Sequence, residues 1–278
     1  MRLGVIADAH LGPPGRAVPS YHSGYENADT IKGYELALRR CVEGGADGVA
    51  LLGDLSNAGD NGSLETGLSL AARTGLPVWV VSGNHDCGER KDALAEAVQR
   101  VGAKNVRLAT PEGEALKGVR VAGVSVASEG WGYANYADGR PDVQEWGDDA
   151  IVWLTHYPVI SYADEAEKRG LVYGDNLEDL EELAAPLLGR RAPTVATTGH
   201  VHLLYSCISG SVLQVACPGL VEPPFEVTFL DLEPENEGFF VRRKTEPLVS
   251  RHPMRVPHLS PLEQEWRFER GSWRFVEP

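Results

Sequence analysis

Three short apolar runs, at residues 3–7, 47–52 and 77–81, are each followed by an amphipathic stretch, at 29–42, 63–74 and 91–101. This alternation restricts the fold more than any other feature of the chain. Apolar runs of this length read as strands buried on both faces. The stretch 29–42 reads as a helix with Ile31, Tyr34, Leu38, Cys41 and Val42 on one stripe and Gly44-Gly45 as its stop. The stretch 63–74 reads as a second helix, with Ser63 as N-cap and Gly75 as stop. Strands alternating with helices imply βαβ units and a largely parallel sheet.

The second half changes character. Strands are expected at 119–126, 151–155 and 194–198, and a helix at 176–188 with Leu177, Leu180, Leu183 and Leu187 on one face. Pro186 is expected to end or bend that helix. Apolar runs at 203–209, 212–216, 226–232 and 239–244, separated by turns, suggest antiparallel strands. The fold class is therefore α/β with mixed α+β character: two packed mixed sheets with helices outside. From about Glu246 the chain is rich in Pro and Arg. Trp266, Phe268, Trp273 and Phe275 then alternate around Arg270-Gly271-Ser272, as in a hairpin with one aromatic face. That face must be covered by the core or by a second subunit, so a homo-oligomer is one of two solutions.

Metal-ligating residue types recur where strands are expected to end. Asp8 and His10 follow the first strand, Asp54 the second, and Asn84, His85 and Asp86 the third. His156 follows 151–155, and His200 and His202 follow 194–198. In open α/β sheets the ligand crevice lies at those carboxyl ends, so five loops can converge. Two aspartates, one asparagine and histidines offer oxygen and nitrogen donors suited to Zn, Fe, Mn or Co. Seven such donors are too many for one ion, and a carboxylate can bridge two. In an extended segment residues i and i+2 point the same way, so Asp8 and His10 can reach one ion, as can His200 and His202 with slight curvature. Each motif alone is weak; the joint pattern takes in five of the eight histidines.

The blocks Asp8-Ala9-His10, Gly53-Asp54, Gly83-Asn84-His85-Asp86, His156 and Gly199-His200-Val201-His202 resemble the calcineurin-like metallophosphoesterase superfamily. The resemblance covers roughly residues 1–232. It implies a four-layer αββα sandwich, with residues 1–245 as the catalytic domain and 246–278 as a tail. It also implies two divalent ions per chain. Asp8, His10 and His202 would bind one, Asn84, His156 and His200 the other, and Asp54 would bridge them. His85 would serve the departing oxygen and Asp86 would orient His85. The implied reaction is hydrolysis of a phosphate ester by in-line attack of a hydroxide between the ions. Bacterial cyclic-nucleotide phosphodiesterases are the branch it most resembles, which suggests a small soluble diester. A phosphomonoesterase, a nuclease and a metal-binding scaffold are the competing readings.

Charge bears on these alternatives. With 26 basic and 40 acidic side chains the net charge is −14, which disfavours a duplex-tracking protein. Cys41, Cys87, Cys207 and Cys217 form no C-x-x-C pair and read as reduced, buried thiols, with Cys87 a bystander beside the third motif. No signal peptide and no run of 18 apolar residues is visible, so no membrane span is expected and the default location is cytoplasmic. Two loops are candidate specificity regions. Residues 11–29 carry Tyr21, His22 and Tyr25, and residues 128–147 carry Trp131, Tyr133, Tyr136 and Trp146. Each could equally be plain surface or packing.

Overall fold

The apolar runs of the first half become the parallel part of one sheet, since strands joined by helices pair in parallel. This computed structural model describes residues 1–13, 15–87, 93–128, 134–136, 143, 146–171, 180–236, 238–256 and 258–276. The strands Arg2–Ile6, Gly48–Leu52, Val78–Val81 and Val106–Leu108 run parallel in that order. On the other side of Arg2–Ile6 lie Glu226–Glu235, Gly238–Pro247, Glu263–Glu269 and Ser272–Val276, all antiparallel to their neighbours. Together they make an eight-stranded sheet. A six-stranded sheet faces it. Its four central strands, Val119–Gly123, Ile151–Leu154, Thr194–Thr198 and Val212–Ala216, are parallel, and Glu114–Leu116 and Tyr205–Ser209 are antiparallel edges.

Alternation along the strands builds the layers. Val5, Leu52 and Val81 of the first sheet meet Val121, Leu154 and Val215 of the second in a core between the sheets. Ile6, Leu51 and Val80 point the other way, onto Tyr34, Leu38, Leu64, Leu68 and Ala97 of the helices Thr30–Glu43, Asn61–Ala72 and Ala93–Val101. Behind the second sheet, Trp153 and Ala196 pack on Leu183 and Leu187 of the helix Leu180–Leu188. The result is helix, sheet, sheet, helix: the mixed α/β class expected. The aromatic tail forms the hairpin Glu263–Glu269/Ser272–Val276. Trp266, Phe268 and Trp273 enter the core between the sheets, whereas Phe275 stays 47% exposed. No helix among the described residues is long and apolar enough to cross a membrane.

Several details differ from expectation. Asp60, not Ser63, caps the second helix: its carboxylate accepts the Ser63 backbone N–H at 2.9 Å, so the helix starts earlier. A carboxylate ahead of the first turn satisfies an orphan donor there and complements the helix dipole. Val42 lies off the buried stripe, at 45% exposure. The expected strand 119–126 is two, Val119–Gly123 and Val126–Ser128, the second pairing with Ala134–Tyr136 in a separate ribbon. Pro186 does not end its helix, which continues to Leu188. The apolar runs after 203 form the expected antiparallel strands as two pairs, Tyr205–Ser209 with Val212–Ala216 and Glu226–Glu235 with Gly238–Pro247, divided between the two sheets. Val212–Ala216 joins the second sheet parallel to Thr194–Thr198, and Glu226–Glu235 crosses to the first. Leu177, Trp131 and Tyr133 lie outside the described residues. Trp146 is buried against Trp153, ring centroids 5.5 Å apart, with its indole N–H donated to the Pro111 carbonyl, so it is a core residue.

Candidate metal centre

The five ligand-bearing loops leave the parallel strands of both sheets at their carboxyl ends and are stitched together by backbone hydrogen bonds. Asp8 and His10 donate their N–H groups to the carbonyls of Gly53 and Asp54 at 3.2 and 2.8 Å, and Leu11 continues the pairing to Leu55. Gly199 N–H donates to the His156 carbonyl at 2.9 Å. Leu220 and Val221 donate to the carbonyls of Ala7 and Asp8, tying the second sheet's chain to the first loop. The loops are not extended here, which corrects the i, i+2 argument. Asp8, His10, Asp54, His200 and His202 have φ of 51°, 45°, 49°, 66° and 60°. These are five of the eight non-glycine residues with positive φ among those described. Backbone strain of this kind persists where the surrounding structure imposes it, and it concentrates at functional sites.

The glycines of the motifs have a steric reason. A Cβ on Gly83 would lie 2.6 Å from the Asp54 backbone nitrogen and would also strike the Asp54 carboxylate. A Cβ on Gly199 would lie 2.6 Å from Asp8 Oδ2. Gly83→Ala is therefore expected to displace Asp54. Overpacking costs about 1–3 kcal/mol, read as roughly a tenfold or greater loss of metal affinity by calorimetry, with far-UV circular dichroism unchanged. Unaltered metal binding would contradict this placement.

The side chains converge. His202 Nε2 lies 3.3 Å from both Asp8 Oδ1 and His10 Nε2. Asp54 Oδ2 is 3.6 Å from His10 Nε2 and 3.4 Å from His156 Nε2, so it stands between two clusters. Asn84 Oδ1 lies 3.1 Å from His156 Nε2. The His200 ring sits 5.0 Å from that of His156, stacked on Tyr157 at 3.9 Å, and its backbone N–H donates to the Asp8 carboxylate. Asp8, His10 and His202 have ligand atoms close enough to share one ion, as do Asp8, Asp54 and His156.

Partners behind the ring fix which imidazole nitrogen faces inward. His156 Nδ1–H donates to the Leu52 carbonyl at 2.8 Å, leaving Nε2 for the site. His202 Nδ1–H donates to Glu222 Oε1 at 3.4 Å, again leaving Nε2. His85 Nδ1–H donates to the Asn57 carbonyl at 2.9 Å. Asp86 does not take that role. Its carboxylate accepts from Ser56 N–H at 2.8 Å and Gly83 N–H at 3.1 Å, joining the second and third loops. Burial and the neighbouring Asp54 charge push its pKa up to about 6.

Asp8 and Asp54 are 0% and 2% exposed, and their described ion partners are histidines alone. Burying such charges costs several kcal/mol each without compensation. Among the protein groups, burial works to raise both carboxyl pKa values, but His202 holds Asp8, and His156 holds Asp54, below the ordinary value. Burial works against protonation of His156 and His202 too, yet Asp54 and Asp8 outweigh it and raise them to about 9 and about 10. Burial drives His10 down to about 4 and His200 to about 3. Two protonated imidazoles thus offset two buried carboxylates. Cations at the centre of the cluster would offset them directly and leave His156 and His202 as neutral donors, as burial already leaves His10 and His200. The donor set fits a pair of divalent ions.

A cleft of about 400 Å³ opens over this cluster, lined by His10, Asp54, Asn84, His85, His200 and His202, with Asn57, Pro19, Ser20 and Tyr21 as walls. The loop 11–29 therefore reaches the site. Glu222 and Asn57, which hold the His202 and His85 rings, are positions that sequence reasoning missed. Neither belongs to a motif; Asn57 acts through its carbonyl, and only the acidic residue before Pro223-Pro224 was there to be noticed. Cys87 is buried beneath the third loop, its Sγ 3.4 Å from the Gly83 carbonyl.

Comparison with known proteins agrees with this geometry. The sequence matches the calcineurin-like phosphoesterase family over residues 1–204. The DNA double-strand break repair protein Mre11 of Archaeoglobus fulgidus is 29% identical over 133 residues, covering 45% of this chain. The match spans only 29% of that relative's length. Among solved structures, a dimetal phosphatase from Danio rerio superposes with a TM-score of 0.57 at 13% identity, covering 89% of this chain and 96% of that one. The protein TT1561 of Thermus thermophilus gives 0.54 at 14% identity, covering 83% and 93%. At such identities these two attest the fold.

Proposed function

The chain belongs to the calcineurin-like phosphoesterase family, and on that premise we propose that it hydrolyses small phosphodiesters, cyclic nucleotides among them, with two divalent ions. Asp8, His10 and His202 would hold one ion and Asn84, His156 and His200 the other, with Asp54 available to both. Mn, Fe, Zn or Co suits these donors. When bound, the ions bring the pKa of water toward neutrality and offset charge on the phosphoryl oxygens. The chain's own groups do the rest. Glu222 and the Leu52 carbonyl hold His202 and His156 with Nε2 inward. His85, pinned through Nδ1 to Asn57, presents Nε2 to the cleft and gives a proton or hydrogen bond to the departing oxygen.

The observation that carries the diester reading is the charge of the cleft. None of the described residues lining it is Lys or Arg. Two dications against Asp8 and Asp54, the two carboxylates among the proposed ligands, leave an excess of two positive charges within the ligand set. A hydroxide nucleophile and a diester monoanion neutralise that excess; a monoester dianion would overshoot it. The cleft volume falls in the ordinary small-molecule range.

The test is a substrate panel on Mn-reconstituted protein: bis(4-nitrophenyl) phosphate, 4-nitrophenyl phosphate, a cyclic nucleotide and duplex DNA. The expected result is kcat/KM at least roughly tenfold higher on a small diester than on the monoester, a difference of about 1.4 kcal/mol. Preference for the monoester would overturn the diester reading. The partial match to an Mre11 protein motivates the DNA arm, and the net charge of −14 argues against it. Faster cleavage of DNA than of small diesters at physiological salt would establish a nuclease instead.

A further inference from the structure

One wall of the cleft is an aromatic side chain with no part in the metal cluster. Tyr21 lines the cleft yet is 54% exposed, the largest exposure among the exposed large hydrophobics described. Exposed aromatic surface of this size on a mobile loop would be unremarked, but this segment is fastened on both sides of Tyr21. Ser20 Oγ lies 2.9 Å from the Tyr25 carbonyl and 3.2 Å from the Val221 carbonyl. His22 N–H donates to Glu222 Oε1 at 2.7 Å, and Ser23 N–H to Oε2 at 3.3 Å. The His22 ring nitrogen donates to the Val201 carbonyl at 2.7 Å. Glu222 is 3% exposed and is the same carboxylate that receives His202 Nδ1–H. One buried acid therefore orients a metal-site imidazole and fixes the backbone that carries Tyr21.

The position of Tyr21 along the cleft is informative. The His85 ring lies 4.6 Å from that of His10, His10 lies 5.2 Å from His202, and His202 lies 5.8 Å from Tyr21. The rings adjoin in the order His85, His10, His202, Tyr21, so two imidazoles separate Tyr21 from His85 along this path. With the leaving oxygen at the His85 end, Tyr21 faces the other substituent on phosphorus, the one that is not expelled. Only a diester has such a substituent.

We propose that Tyr21 is the specificity wall for the retained ester group, and that the substrate carries a flat aromatic or heteroaromatic ring there. This inference rests on the diester reading above. The ring stacks or lies edge-on against Tyr21, and preorganisation of the loop spares the cost of ordering it on binding.

The experiment uses two diesters with the same leaving group, phenyl 4-nitrophenyl phosphate and methyl 4-nitrophenyl phosphate, on the full Mn-loaded chain. Binding of diphenylphosphinate and dimethylphosphinate, which have no ester bond to hydrolyse, is measured alongside by calorimetry. The wild type is expected to favour the phenyl compound of each pair by roughly five- to tenfold, through KM rather than kcat. Tyr21→Ala is expected to weaken the phenyl compounds roughly five- to tenfold more than the methyl compounds, so that both preferences vanish; Tyr21→Phe is expected to keep them. An equal loss on phenyl and methyl compounds in Tyr21→Ala would overturn the proposal, since that marks a purely structural loop. So would a phenyl preference that survives Tyr21→Ala. Phosphinate discrimination that depends on Tyr21, without hydrolysis of either diester, would support the wall and sink the diesterase reading. Hydrolysis of both diesters without discrimination would do the reverse.

Discussion

Asp54→Asn is expected to lower kcat on a phosphodiester by on the order of a thousandfold, because it removes one of the two carboxylates among the proposed ligands from a buried centre where breaking a charge pair costs about 3–5 kcal/mol. The geometry singles out this residue. Its Oδ2 faces His156 on one side and His10 on the other, and its Oδ1 accepts the His85 backbone N–H at 2.8 Å. Asparagine keeps the shape and one acceptor but not the charge. Metal content should fall with activity, while the inter-sheet core, which Asp54 does not enter, keeps the fold. Steady-state kinetics, metal analysis and circular dichroism on one preparation check this. Full activity in the variant would remove Asp54 from its shared position.

His85→Ala is expected to lower kcat by roughly 10²–10⁴-fold without loss of bound metal. His85 makes its Nδ1 bond to a carbonyl outside the ligand set and faces the cleft with Nε2. A group that protonates a departing oxygen matters most when the oxygen is basic. The defect should therefore be larger for an alkoxide leaving group than for 4-nitrophenolate. Asp86→Asn should show no such dependence on leaving group, since its carboxylate holds the Ser56 and Gly83 backbones. A uniform defect in His85→Ala across leaving groups would deny it the proton-donor role.

Much of this centre was legible because chemistry-bearing residues directly follow apolar runs, and strand ends are where a parallel sheet offers a crevice. Asp8, Asp54, Asn84, His156 and His200 each come within a few residues of a strand, so a short run of sequence specifies their place. The layers were legible in outline, because strands apolar on both faces need cover on each; that Val5 meets the other sheet and Ile6 the helices is visible only in the structure. What stayed hidden acts through backbone or over long separations. Positive φ at Asp8, His10 and Asp54 is imposed by pairing between loops and leaves no mark on the side-chain pattern. Asn57 contributes a carbonyl, which every residue has. Glu222 meets His22 across 200 positions and His202 across 20. The helix start at Asp60 in place of Ser63 was a choice between two capable caps, decided by the turn that precedes it. The strands after residue 203 were legible, but their division between two sheets was not, because local pattern does not say which sheet a strand joins.

An anomalous difference map from crystals of the Mn-loaded chain tests the two-ion account most directly. Two peaks are expected in the cleft. One lies among Asp8, His10 and His202, the other among Asn84, His156 and His200, with the Asp54 carboxylate between them and both occupied in the same chain. A single peak, or a second one away from Asn84 and His156, would contradict it.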